Sequence, residues 1–398
     1  ANITKELREI FDNYLNDLDS FFTRLSLWSG VKLYKHETLI IFDEVQLYPK
    51  AREAIKWFVA DNRYDYIETG SLVSIRKNTK GIIVPSEECH LDMHPMDFEE
   101  FLWALGEDSL MPFVEDCFVK KQAVGAALHR KLMDYLRLYM IVGGMPQAVN
   151  EYVESRDFNN VDHIKRNILN LYRNDIYNYA SNDASKVVRI FDSVPGQLQR
   201  HEKRFRIGDL QKGARTRDYQ NAFFWLDESR IINTCYAATE PSIGLKLNRD
   251  DARYKLYFAD TGLLISHSFD ENEILSEKLY AKLLLDKIEI NKGMLVENLV
   301  SQMFKASGKR LYYYAQSNRD NSEENMEIDF LIRKPVVTTR HNICPVEVKS
   351  SNNYKTSSLI KFRNKFNQYL DICYVLHSGD LKEDNGILYL PLYMTPLL

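Results

Sequence analysis

Short apolar runs alternate with helical spacing through the first hundred residues, the rhythm of an α/β fold. Leu39-Ile40-Ile41-Phe42 is an unbroken apolar run ending at Asp43-Glu44, which predicts a strand buried in a parallel sheet. A helix is predicted over 51–60 and a second strand over 66–69, closed by Gly70-Ser71. After Pro95 the pattern turns helical. Asp97 stands three residues before Glu100, a capping-box pair, and Phe98, Phe101, Leu102 and Leu105 share one face. Leu128, Leu132, Tyr135 and Tyr139 keep helical spacing up to the break at Gly143-Gly144-Met145-Pro146, and helical, tyrosine-rich sequence continues to residue 180.

From 181 to 268 helical stretches are interrupted at Gly208 and Gly213, and Tyr219, Phe223 and Leu226 then fall at i, i+4 and i+7. Two extended pieces follow, 231–239 and 254–258, so the order is helix-turn-helix and then a hairpin, that of a winged helix forming a small domain of its own. Beyond residue 293 a helix through Glu297 leads into strands at 328–332, 345–348, 372–376 and 387–390, with a helix over 357–366. That is a further α/β domain.

Composition narrows the classes. With 45% hydrophobic and 27% charged residues the chain is a folded protein and not a disordered one. Its 398 residues exceed one core, and at about 150 residues each they predict roughly two to three domains. A net charge of −4 restricts any nucleic-acid surface to a local patch. No run approaches the roughly eighteen apolar residues of a membrane span, and the opening Ala1-Asn2-Ile3-Thr4-Lys5-Glu6 has no apolar signal-peptide core. The five cysteines lie far apart without a CxxC pair, which favours a reducing, cytoplasmic setting and no membrane partner.

Three groups of residues point to chemistry. The strand ending in Asp43-Glu44 fits a Walker B pattern, in which the Asp holds Mg²⁺ through water and the Glu orients a hydrolytic water; a plain strand-end turn is the alternative. Thr69 and Ser71, at the tip of the next strand, stand where a nucleotide sensor belongs. No GxxxxGK[ST] loop occurs in the chain, so ATP hydrolysis by it is expected to be absent, either because the chain starts downstream of that loop or because the ATPase is degenerate. Near the C-terminus, Glu297, Asp329 and the pair Glu347 and Lys349 of a Glu-x-Lys run occur in the order helix, strand, strand. Glu347 and Lys349 share a strand face, and with Asp329 and Glu297 they are candidates to hold Mg²⁺ in a nuclease-like site; a salt-bridged strand is the alternative. Between Arg200 and Arg217 seven Lys/Arg face two acids. Arg204, Arg206, Arg215, Arg217 and Tyr219 are the candidates for DNA contact, against a solvated charged face or a protein-binding surface.

The combination resembles a bacterial and archaeal AAA-type ATPase family with a C-terminal winged helix and a PD-(D/E)xK restriction-endonuclease-like domain. The resemblance rests on Leu39–Gln46 (LIIFDEVQ), Thr69-Gly70-Ser71, 95–102 (PMDFEEFL), Val142-Gly143-Gly144-Met145-Pro146, 255–262 (KLYFADTG) and the Glu297/Asp329/Glu347/Lys349 set. It implies a multi-domain α/β protein: a P-loop NTPase core lacking its first strand over 1–105, a helical lid over 106–180, a winged helix over 181–268 and the nuclease-like domain over 269–398. It further implies ATP and Mg²⁺ as cofactors, with Asp43 and Glu44 as the Walker B pair and Thr69 or Ser71 as sensor. DNA is the expected partner, and a homo-oligomer is compatible with the family. The alternative is a non-catalytic, ATP-dependent switch or scaffold that binds a protein.

Overall fold

The computed structural model describes residues 4–70, 89–180, 183–200, 203–211, 213–242, 244–269, 292–318, 321–334, 341–351 and 353–398. Its contacts divide the chain into two units, Ala1–Met93 and His94–Leu398.

In the first unit, helices α1 (Lys5–Tyr14), α2 (Leu18–Ser29) and α3 (Pro49–Asp61) accompany strands β1 (Leu39–Phe42) and β2 (Asp65–Glu68). The strands pair in parallel, Leu39 opposite Asp65 and Phe42 opposite Glu68. Aromatic rings from the helices fill the core. Phe58 of α3 stacks on Phe42 and Tyr66, and Phe11 and Phe21 meet edge to face at 5.0 Å. Burial of β1 differs from expectation. Ile40 and Phe42 face the helices, whereas Leu39 is 49% exposed and Ile41 57% exposed. Among the described residues the sheet has two strands and is covered on one face, so burial alternates along β1 rather than running through it.

The second unit opens with helices α4 (Phe98–Ala104), α5 (Leu110–Lys120), α6 (Ala126–Val142), α7 (Pro146–Ser155), α8 (Phe158–Tyr179), α9 (Ala184–Leu198) and α10 (Thr216–Glu228). The capping box forms as read: the Glu100 amide donates to Asp97 Oδ1 and the Asp97 amide to Glu100 Oε2, both at 2.9 Å. Asp97→Ala is expected to lower stability by about 1 kcal/mol, measured as a urea midpoint, because an N-cap acceptor is lost.

A hairpin of β3 (Ile232–Ala238) and β4 (Arg249–Phe258) follows, then α11 (Thr261–Ser268), α12 (Lys292–Ala306), β5 (Tyr312–Gln316), β6 (Met326–Arg333), β7 (Ile343–Val348), α13 (Ser357–Phe366), β8 (Cys373–His377), β9 (Lys382–Asp384) and β10 (Ile387–Pro391). All eight strands join one mixed sheet in the order β4-β3-β5-β6-β7-β8-β10-β9. On one face α12 packs Leu299 and Met303 against Phe330 and Val346. On the other, α13 packs Leu359 and Phe362 against Ile328 and Ile343.

The separate winged-helix domain expected over 181–268 therefore differs from what forms. The helices and hairpin occur in that order, but β3 pairs in parallel with β5, Tyr236 opposite Tyr312, and so carries the hairpin into the C-terminal sheet. One hydrophobic cluster runs from Phe98 through Phe191 and Phe258 to Met394. Boundaries expected at 105, 180 and 268 are bridged by this shared core, and the division falls at Met93/His94. Among the described residues no helix is long and apolar enough to cross a membrane.

Candidate functional site

Because β1 and β2 run parallel and in register, Asp43, Glu44 and Thr69 leave the sheet at the same, carboxyl, end. The Thr69 hydroxyl donates to Asp43 Oδ1 at 2.5 Å and accepts from the Glu44 amide at 3.2 Å. Main-chain bonds lock the same corner: the Thr69 amide donates to the Phe42 carbonyl at 2.9 Å and the Val45 amide to the Thr69 carbonyl at 3.1 Å. Glu44 takes a left-handed backbone, φ +54°, which turns the chain sharply at the strand end. The carboxyl ends of parallel strands are where open α/β sheets bind ligands. A carboxylate and a hydroxyl are also the hard oxygen donors that a magnesium nucleotide takes, so the residues present fit that ligand. Ser71, the other sensor candidate, lies outside the described residues.

The acidic set near the C-terminus is arranged differently from the sequence reading. Strand β6 is bulged: Tyr312 pairs with Leu331 and Tyr314 with Ile328, so Asp329 and Phe330 together oppose Tyr313. Ile328 and Leu331 consequently both face α13, while Phe330 faces α12. At the bulge, Asp329 accepts from the Val348 amide at 2.8 Å and stands 4.0 Å from Lys255 Nζ. Lys255, 1% exposed, pairs with Glu327 at 2.6 Å. Burial would lower the Lys255 ammonium, but Glu327, Glu297 and Asp329 outweigh it and hold it charged, above its usual value. Glu297 of α12 pairs with Lys203 and accepts from the Tyr257 hydroxyl at 3.2 Å. Burial and the neighbouring Glu297 carboxylate push the Asp329 carboxyl up to about 7, against the pull of Lys255, the Val348 amide and Lys203.

Glu347 belongs to other neighbours. Val346 and Val348 pack on the α12 side, so Glu347 between them faces α13, where the Leu359 amide bonds to it. Lys349 Nζ lies 2.9 Å from Glu347 Oε2 as an ion pair without hydrogen-bond geometry. Burial raises the Glu347 carboxyl, and Lys349 opposes the rise. Among the described residues no three His, Cys, Asp or Glu side chains gather as a metal would require. The expected shell of Glu297, Asp329 and Glu347 thus does not fit a divalent ion in this arrangement: a lysine ammonium lies within ion-pair distance of each of the three carboxylates, and Glu347 faces α13 rather than α12.

Of the basic candidates, Arg204, Arg206, Arg215 and Arg217 are exposed, Arg215 at the N-cap of α10 and Arg217 3.6 Å from Asp218. Arg200 pairs with Asp209, and Lys212 lies outside the described residues. Tyr219 does not reach solvent. It is 3% exposed in the core face of α10 with Ala222 and Leu226, so a DNA contact by its ring is corrected to a packing role.

Sequence reasoning missed the centre of the second unit. Asp260, wholly buried, accepts from the amides of Gly144 at 2.5 Å and Leu263 at 2.8 Å and from Gln302 Nε2 at 3.2 Å. Lys165, also wholly buried and lowered to about 8 chiefly by that burial, donates to the Ile141 carbonyl at 2.9 Å beside it. Asp260 belongs to 255–262 and Gly144 to 142–146, two of the stretches that carry the resemblance; they are joined here as structure. The signal was available: a Gly-Gly break and an Asp-Thr-Gly turn both need tight backbone contact.

No solved structure and no curated protein matches the chain. Residues 292–394, which supply strands β5 to β10, match a domain of unknown function (DUF4143). Residues 133–273, with the β3–β4 hairpin, match another domain of unknown function (DUF8612), so one sheet is built from two matched stretches. Residues 4–102, which hold Asp43, Glu44 and Thr69, match an AAA domain, and this part of the chain is AAA-type ATPase-like.

Proposed function

We propose that the chain is an AAA-type nucleotide-dependent protein whose first unit binds ATP with Mg²⁺, Asp43 and Glu44 facing the metal and its waters and Thr69 sensing the terminal phosphate. The observation that carries this reading is the Thr69 hydroxyl, which bridges the Asp43 carboxylate and the Glu44 amide at the carboxyl ends of paired parallel strands. Bound Mg²⁺ would supply charge neutralisation at the phosphates. Thr69 holds the Asp43 carboxylate in one orientation and ties it to β2, so a change at either strand end is felt at the other. Without a GxxxxGK[ST] loop in these 398 residues, hydrolysis by this chain is expected to be absent or slow.

Asp43→Ala is expected to weaken MgATP binding about tenfold to a hundredfold, the range for losing a charged partner, while metal-free ATP binding changes little. Thr69→Ala should weaken it less, with Thr69→Ser restoring most of the loss. Calorimetry with and without Mg²⁺ checks this, and equal affinity of wild type and Asp43→Ala in Mg²⁺ would sink the reading.

For the second unit, the order α9, α10, β3, β4 and a sheet flanked by α12 and α13 support kinship with winged-helix and PD-(D/E)xK nuclease-like proteins. The lysine-filled carboxylate cluster favours a unit that binds its partner, DNA or protein, without cutting it.

A further inference from the structure

We draw no further inference here: the strongest candidate, the uncovered apolar face that Leu39, Ile41 and Ile67 make on the parallel pair β1 and β2, carries none, because nothing among the described residues shows what covers it.

Discussion

Asp260→Ala is expected to destabilise the second unit by about 3–5 kcal/mol, the range for removing one member of a buried, hydrogen-bonded charged group. The carboxylate accepts from Gly144, Leu263 and Gln302 at once, and at Leu263 it also caps α11. With alanine there, the Gly144 and Leu263 amides stay buried without partners, and Lys165 loses a nearby counter-charge. The glycines around it leave no slack. A Cβ on Gly144 would lie 2.1 Å from the Met96 carbonyl oxygen, and one on Gly262 would lie 2.5 Å from the Val142 carbonyl oxygen and 2.7 Å from Gly143 backbone atoms. In each case the obstacle is main chain and cannot swing aside. Gly144→Ala and Gly262→Ala should therefore unfold the unit at temperatures the wild type survives. Urea titration followed by tryptophan fluorescence is the measurement; a midpoint for Gly144→Ala within 1 kcal/mol of wild type would show that the junction is not the tight contact described.

That junction also marks what a sequence can and cannot disclose here. Strands at 328–332, 345–348, 372–376 and 387–390 were legible because buried strands write themselves as apolar runs, and β6, β7, β8 and β10 stand there. The capping box at Asp97 and Glu100 was legible because both partners lie within one turn. Tyr219 was misplaced although its i, i+4, i+7 spacing with Phe223 and Leu226 had already put it on an apolar face; basic neighbours outweighed a periodicity that was right. Strand β5, Tyr312–Gln316, escaped because three adjacent tyrosines followed by Ala and Gln show neither alternation nor a plain apolar run. The acid cluster was half legible. Strand period places Glu347 and Lys349 on one face, and they do pair. Nothing local announces the bulge that turns Asp329, since a bulge is a property of two strands in register. Nor could spacing reveal that Lys203 and Lys255, from a loop and from the edge strand, would meet those carboxylates.

Lys255→Met is expected to cost about 3–5 kcal/mol at pH 8 and distinctly less at pH 5, because what it exposes is a surplus of buried negative charge. The sign follows from Asp329. Its carboxyl is held near 7 in the folded chain by burial and Glu297, above the value it has when unfolded. Between roughly pH 4 and 7 the native state therefore binds a proton that the unfolded chain has released, and the Asp329 contribution to stability falls as pH rises through that window. Lys255 offsets the fall in the wild type. Methionine fills similar space without charge, so the fall should steepen, and adding Asp329→Asn to Lys255→Met should flatten it and recover most of the loss at pH 8. Urea midpoints of the three chains at pH 5 and pH 8 decide the matter, and an equal loss at both values would mean that Lys255 acts through packing alone. The same cluster bears on metal binding. With Lys203 and Lys255 in place, Mg²⁺ has no vacant pair of carboxylates at Glu297 and Asp329, and millimolar Mg²⁺ should not move the wild-type midpoint through this cluster. In a Lys203→Met, Lys255→Met chain the two acids are released, and Mg²⁺ or Mn²⁺ should restore stability in proportion to occupancy. A cluster that gains a divalent ion only when its lysines are removed is one in which the ammonium groups already do the neutralising that a metal does in a cutting site.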